Sequence, residues 1–380
     1  MTRASGSIGF SSRAATRWAG GQGLPGLAAP LARPRRIMLR GDSTGIGYLT
    51  AYPSGNAAAQ RCGPSRRMRD GLIAAGCYAQ DEFLVGSGGY ATAAGLLAFD
   101  PRVSMTGTGW AYWAVTTAVF GAIRNNTDTT SLWTFTPDTQ CDTAVLYYAK
   151  DNSRSTGEMS FGGATKAFNQ YSATAGWGSI TIGPADGVVL GANKVDIRRT
   201  AASGNVTADA IWCYNSKLPA YQILNGSASG MKAQNLANSS TLSSSLYFPE
   251  QLLSAGDECW WQIGINDWKS AGPTDLTTFQ AYVQAWVDRC QMFGIIPRII
   301  LPIRSALTDT TAELMAAYDG AQASVASAED VAIYSFGDRW GSYAEASARG
   351  LMAGSGDAFH ANWFGAQDQG QFYTSLALAA

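Results

Sequence analysis

The stretch GDAFHANWFG, residues 356–365, contains His360, the only histidine in 380 residues. Asp357 stands three positions before it. One turn of chain can bring the two side chains together, so that the carboxylate accepts the Nδ1 proton and leaves Nε2 free to face a partner. Far upstream, GDSTG carries Ser43. A serine hydroxyl is too weak an acid to react unaided near neutral pH. An imidazole that takes its proton on attack and returns it to a leaving alcohol solves that problem. NGSASG, ending at Gly230, and GIND, with Asn266, add a small-residue turn and a carboxamide. These are the group types a serine hydrolase needs as nucleophile, base, orienting acid and oxyanion donors. With one histidine, an imidazole titration in a rate profile has one candidate.

Each residue also has a plain structural role to weigh. Asp-Ser before a helix is a common N-cap pattern, and Asp42 is expected to serve that purpose. Asn266 and Asp267 can cap the segment after a strand, and Asp267 is expected only to support the site. A lone histidine is more often structural than catalytic, but Asp357, Asn362 and Gly365 around His360 shift that balance. Trp268 and Trp363 flank the motifs, either as pocket walls or as packing.

Such groups gather beyond the C-terminal ends of parallel strands, so the elements around them matter. The apolar run Ile37–Leu39 reads as a buried strand, followed by a Gly-rich turn and a helix around Met68–Ala75. YQILNG and ECWWQIGIND read as two further strands, and LTTFQAYVQAWVDRCQMFG has helical spacing. The strand IIPRIILPI, the helix TAELMAAYDGAQASVASA, the strand VAIYSF and a last helix complete the alternation. Apolar strands alternating with helices imply a parallel sheet covered on both faces. Between these parts, DTAVLYYAKDN, GEMSFGG, GSITIG, VVLGANKVDIRRT and NVTADAIWCYN are short β-rich segments separated by turn residues. They predict an antiparallel β-sandwich. The expected organisation is an arm over 1–36, an α/β domain over 37–92 and 217–380, and an inserted sandwich over 93–216.

Composition narrows the function classes. Charged residues make up 14% of the chain and the net charge is −1, which argues against nucleic acid or an anionic membrane as partner. The six cysteines show no CxxC pair, so neither a zinc site nor a dense disulfide framework is expected, and one or two disulfides stay open for an exported chain. No apolar run has the length of a membrane span. The first 36 residues hold six arginines and no acid, and their apolar stretch is broken by Gly and Pro, so a flexible or docking arm is expected rather than a signal peptide. Twelve Trp and sixteen Tyr offer faces that could stack on sugars. At least three of Trp110, Trp113, Trp133, Trp177 and Trp212 are expected in the sandwich core.

The motifs together resemble those of the SGNH, or GDSL-type, hydrolases. The first block stands as GDSTG, the third as GIND and the fifth as DAFHANWFGAQ. The family usually has Asp-x-x-His-Pro-Asn in the fifth; here Ala361 replaces the proline, while Asn362 and Gly365 are kept. The resemblance implies a flavodoxin-like three-layer α/β/α domain with a parallel sheet. It implies Ser43 as nucleophile, His360 as base and Asp357 as its partner, with no cofactor and no metal. The Ser43 N–H and the Asn266 side chain would line the oxyanion hole. For the second block, Gly230 is preferred as third donor because it follows the better strand and precedes a helix-like run. VGSGGYAT, through Gly88 or Gly89, remains the alternative. The resemblance covers roughly residues 37–83 and 220–380.

The insert resembles a jelly-roll of carbohydrate-binding type, and SGNH domains with such inserts resemble carbohydrate deacetylases, some carried on phage tails. The expectation is an esterase that removes O-acetyl groups from a polysaccharide or cell-surface glycan. Its setting would be extracellular or virion-associated, with other virion proteins as partners of the arm. The alternatives are a glycan-binding structural protein with a vestigial hydrolase fold, and a short-chain lipase or esterase.

Overall fold

A computed structural model describes residues 33–50, 57–85, 93–113, 122–125, 127–218, 220–237, 250, 252–269, 273–307, 310–354 and 356–379. Most of the expected arm, residues 1–32, lies outside the described residues, as do Gly88 and Gly89.

Five apolar segments form one parallel sheet: β1 (Arg35–Gly41), β2 (Tyr221–Asn225), β3 (Glu258–Gln262), β4 (Ile296–Leu301) and β5 (Ala332–Ser335). Their order is β5-β4-β3-β1-β2, with the two-residue strand Ala79–Gln80 on the far edge. Every neighbouring pair is parallel; Leu39 of β1, for example, stands opposite Asn225 on one side and Trp260 on the other. The chain steps from β1 to one side, then crosses to the other, which is the doubly wound order of flavodoxin-like sheets.

The helices that matter for the site are α1 (Ser43–Ile46), α2 (Pro64–Ala74), α3 (Leu276–Met292), α4 (Ala312–Ala328) and α5 (Trp363–Ala379). Consecutive residues of a strand point to opposite faces of the sheet. Trp260 meets Tyr373 of α5, ring centroids 5.8 Å apart. Its neighbour Trp261 meets Trp286 of α3 at 5.2 Å and donates to Gln322 of α4 at 2.9 Å. So α5 covers one face, with α2 bound to it through Thr374 Oγ1 and the Met68 carbonyl, and α3 and α4 cover the other. Ile37 and Met38, adjacent in β1, are both fully buried, as a sheet covered on both faces requires. The end opposite the site is held by charge: buried Glu258 takes bonds from Arg35, Arg298 and the Trp260 indole.

Among the described residues all antiparallel strands lie between residues 83 and 214, in sheets of five, four and three strands. This region begins earlier than the expected boundary at 93. Phe83–Val85 pairs antiparallel with Ala210–Tyr214, Phe83 opposite Trp212 and Val85 opposite Ala210. The chain thus enters and leaves the region on two paired strands. Next to this stem, buried Arg102 bonds Asp100 and Glu82. Of the five tryptophans expected in the sandwich core, Trp110 and Trp133 are buried there, whereas Trp212 is buried against the core of the parallel-sheet domain. The apolar run at Val188–Leu190 forms no strand, because a 3-10 turn at Pro184–Asp186 precedes it and leaves Val189 exposed. Among the described residues no helix is long and apolar enough to cross a membrane.

Candidate active site

The site is built on the C-terminal end of β1. Asp42 ends the extended chain and caps α1, its Oδ1 accepting from the Thr44 N–H at 2.9 Å and the Thr44 hydroxyl at 2.8 Å. Ser43 is thereby the first residue of a short helix, 4% exposed. The glycines of GDSTG have a steric reason. Ser227, in the loop after β2, accepts from the Gly41 N–H at 3.0 Å, and a Cβ on Gly45 would lie 2.7 Å from its hydroxyl. The Ala228 N–H adds a bond to the Gly41 carbonyl at 2.9 Å.

His360 reaches Ser43 from the other end of the chain. Its Nε2 lies 2.7 Å from Ser43 Oγ and its Nδ1 2.6 Å from Asp357 Oδ2. Asp357 Oδ1 accepts from the backbone N–H groups of Phe359 at 3.0 Å and His360 at 2.6 Å, which wraps the loop around the carboxylate. Burial raises the Asp357 carboxyl, but the bonds from the His360 side chain and the two N–H groups outweigh it and hold the group below its ordinary range. An ionised Asp357 can only accept, so the proton sits on His360 Nδ1 and Nε2 is bare toward the serine hydroxyl.

The loop is anchored without the proline. The Ala353 N–H donates to the His360 carbonyl at 2.9 Å and the Asn362 N–H to the Leu351 carbonyl at 3.0 Å, forming a bridge around Ala361. The Asn362 amide donates to the Gly350 and Met352 carbonyls, both at 2.9 Å, and its oxygen caps α5 through the Phe364 and Gly365 N–H groups. Residue 365 must be glycine, since a Cβ there would lie 2.2 Å from the Leu351 carbonyl oxygen.

Gly230 lies in the loop after β2, exposed and with φ +80, beside β1 in the sheet. Asn266 follows β3, and its Nδ2 donates to the carbonyl of Met231, the residue after Gly230, at 3.1 Å. The two candidate oxyanion residues thus sit on segments tied to each other, the loop after β2 and the short helix Ile265–Trp268 after β3, on either side of the β1 end. Asp267 makes a second tie. It is fully buried, accepts from the Ala233 N–H and from Thr274 Oγ1 at 2.7 Å, and burial pushes it up to about 6.

Sequence reasoning passed over several residues that surround these groups. The Tyr48 and Phe359 rings flank His360, with centroids 4.9 and 4.2 Å from it. Lys269 lies over the Phe359 ring, its Nζ 5.6 Å from the centroid. Ser227 was legible in principle, because two glycines four apart signal close approach by another backbone or side chain; Tyr48 carries no local signal. Trp268 is core, packed edge-on against Tyr318, and Trp363 lies beneath Arg67. Asp42 is fully buried, and burial raises its carboxyl despite the Thr44 bonds.

A solved structure of a peptidoglycan O-acetylesterase superposes with a TM-score of 0.63 over 91% of this chain and 91% of that one, at 14% sequence identity. The chain has that fold. A carbohydrate acetylesterase from Sinorhizobium meliloti matches over 42% of this chain and 79% of its own, with 16% identity and a TM-score of 0.31. An acetyl xylan esterase matches over 41% and 81%, with 16% identity and a TM-score of 0.34. No family model and no curated protein matches the sequence.

Proposed function

We propose that this protein is a serine esterase of SGNH type that removes O-acetyl groups from a glycan. The observation that carries the proposal is the chain Ser43 Oγ–His360 Nε2–Asp357 at 2.7 and 2.6 Å, at the C-terminal end of the central strand. In this reading His360 takes the Ser43 proton as Oγ attacks the acetyl carbonyl. The N–H groups of Ser43 and Gly230 and the Asn266 amide stabilise the oxyanion. His360 returns the proton to the sugar oxygen as the C–O bond breaks. It then activates water to release acetate from the acetyl-serine.

Three things support a glycan ester. One solved structure with this fold is of a peptidoglycan O-acetylesterase. Tyr48 and Phe359 provide flat apolar faces beside the imidazole. The antiparallel region, read as a carbohydrate-binding jelly-roll, has an open cleft of about 500 Å³ lined by Asn152, Ser153, Thr156, Asn169 and exposed Tyr171. Amide and hydroxyl groups around an exposed ring suit a sugar. The basic arm, the low-charge composition and the resemblance to deacetylases carried on phage tails support an extracellular or virion-borne setting.

The test is hydrolysis of p-nitrophenyl acetate by wild type and Ser43→Ala, followed by acetate release from acetylated polysaccharides. Ser43→Ala should lose about 10³-fold or more in kcat; equal rates sink the esterase reading. Faster turnover of long-chain than of acetyl esters sinks the deacetylase. Tyr171→Ala should weaken retention on the glycan and leave p-nitrophenyl acetate turnover intact; unchanged retention removes the cleft from the proposal.

A further inference from the structure

The chain has only six lysines, and one of them stands beside the site. Lys269 comes three positions after Asn266, just after the short helix Ile265–Trp268. Its side chain is half-buried, and its ammonium rests over the Phe359 ring, which is itself packed against His360. Its charge is felt at Asp42, the residue next to Ser43. No carboxylate pairs with Lys269 among the described residues, whereas Lys166 and Lys194 each pair with an aspartate. Lys232, the other lysine near the site, is directed differently: its charge is felt at Asp267. A cation over a ring, one side chain away from the base and with no carboxylate paired to it among the described residues, is placed to form charge-assisted bonds with a bound anion.

We propose that Lys269 receives a carboxylate of the substrate, so that the preferred ester lies on an acidic sugar or next to one. The inference rests on the esterase reading above. The ammonium is 5.6 Å from the Phe359 ring centroid, and that ring is 4.2 Å from the imidazole's. There it can bond a carboxylate on the ester-bearing residue or its neighbour without touching the reacting acyl group. Such a contact is the same in ground and transition states, so it lowers KM rather than raising kcat.

The test compares wild type, Lys269→Met and Lys269→Arg on three substrates: acetylated oligogalacturonate, acetylated xylo-oligosaccharide and p-nitrophenyl acetate. Methionine keeps an apolar chain over Phe359 and removes the charge; arginine restores the charge. Wild type should show the lower KM on the acidic oligomer, with a preference that shrinks as salt is raised. Lys269→Met should raise KM for that substrate about tenfold at unchanged kcat, leave the two neutral substrates within twofold, and be rescued by Lys269→Arg. An equal KM change on acidic and neutral oligomers, or no wild-type preference for the acidic one, overturns the inference. The p-nitrophenyl acetate arm keeps the two proposals apart. Wild type inactive there defeats the esterase reading, while wild type active without acidic preference defeats only the role of Lys269.

Discussion

Asp357→Asn tests the proton arrangement more sharply than removal of any group. In the wild type, Asp357 Oδ1 faces the N–H groups of Phe359 and His360, and Oδ2 faces His360 Nδ1. An asparagine can keep the first pair of bonds only with its carbonyl in the Oδ1 position. Its NH₂ then points at Nδ1, which must become the acceptor, and the single imidazole proton moves to Nε2. There it faces Ser43 Oγ at 2.7 Å, so the ring can no longer take the serine proton. Loss of one charge-assisted bond should cost about 1–3 kcal/mol of stability, because both backbone bonds of the loop survive. Loss of the base should lower kcat about 10³- to 10⁴-fold, or about 4 to 5.5 kcal/mol in the barrier. The assay is kcat on p-nitrophenyl acetate beside a melting curve. It is paired with ¹⁵N NMR of the imidazole, which is unambiguous because the chain has one histidine. The wild type should show a protonated Nδ1 and the variant a protonated Nε2. A variant within tenfold of wild-type kcat, or one whose proton stays on Nδ1, refutes the reasoning.

Two further outcomes are expected. Asp267 titrates near 6 in the folded chain against an ordinary value of 3.8, so the folded state holds this proton more tightly. The stability linked to it is fully present below about 3.8 and is lost as pH rises through about 6, a change of about 3 kcal/mol. Asp267→Asn lacks this ionisation, so the unfolding free energy of wild type minus variant should fall by about that amount between pH 4 and 7 in denaturant titrations. Parallel pH profiles would contradict it. Ala361→Pro should leave activity unchanged and raise Tm by about 1–2 °C, because neither bridge bond around it uses the Ala361 N–H and proline stiffens the unfolded chain. A lower Tm would show that the loop conformation excludes proline.

The reacting groups, their local partners and the strand–helix alternation that carries them are all written in the order of residues. Asp357 and His360 lie three apart, and one turn brings them together whatever else the chain does. The Asp42 cap of α1 is similarly local, as is the Asn362 cap of α5. Apolar runs such as Ile37–Leu39 and Cys259–Ile263 announced strands buried on both faces. What had to be joined across distance depends on how the strands are ordered in the sheet. Ser43 and His360 are 317 residues apart and meet only because β1 is the central strand and the loop before α5 returns to its end. Strand order likewise sets the loop holding Gly230 beside that of Ser43, and Ser227 against Gly41 and Gly45, since periodicity marks which segments are strands but not which are neighbours. The antiparallel region begins at Phe83, ahead of its expected start, because a three-residue strand is defined by its partner at Ala210–Tyr214 rather than by its own composition. Tyr48 and Lys269 likewise owe their place at the site to tertiary packing. Phe359 is the chain neighbour of His360, but nothing in the spacing of Tyr48 and Lys269 points to the imidazole, and only the packing of the loops around it brings them there.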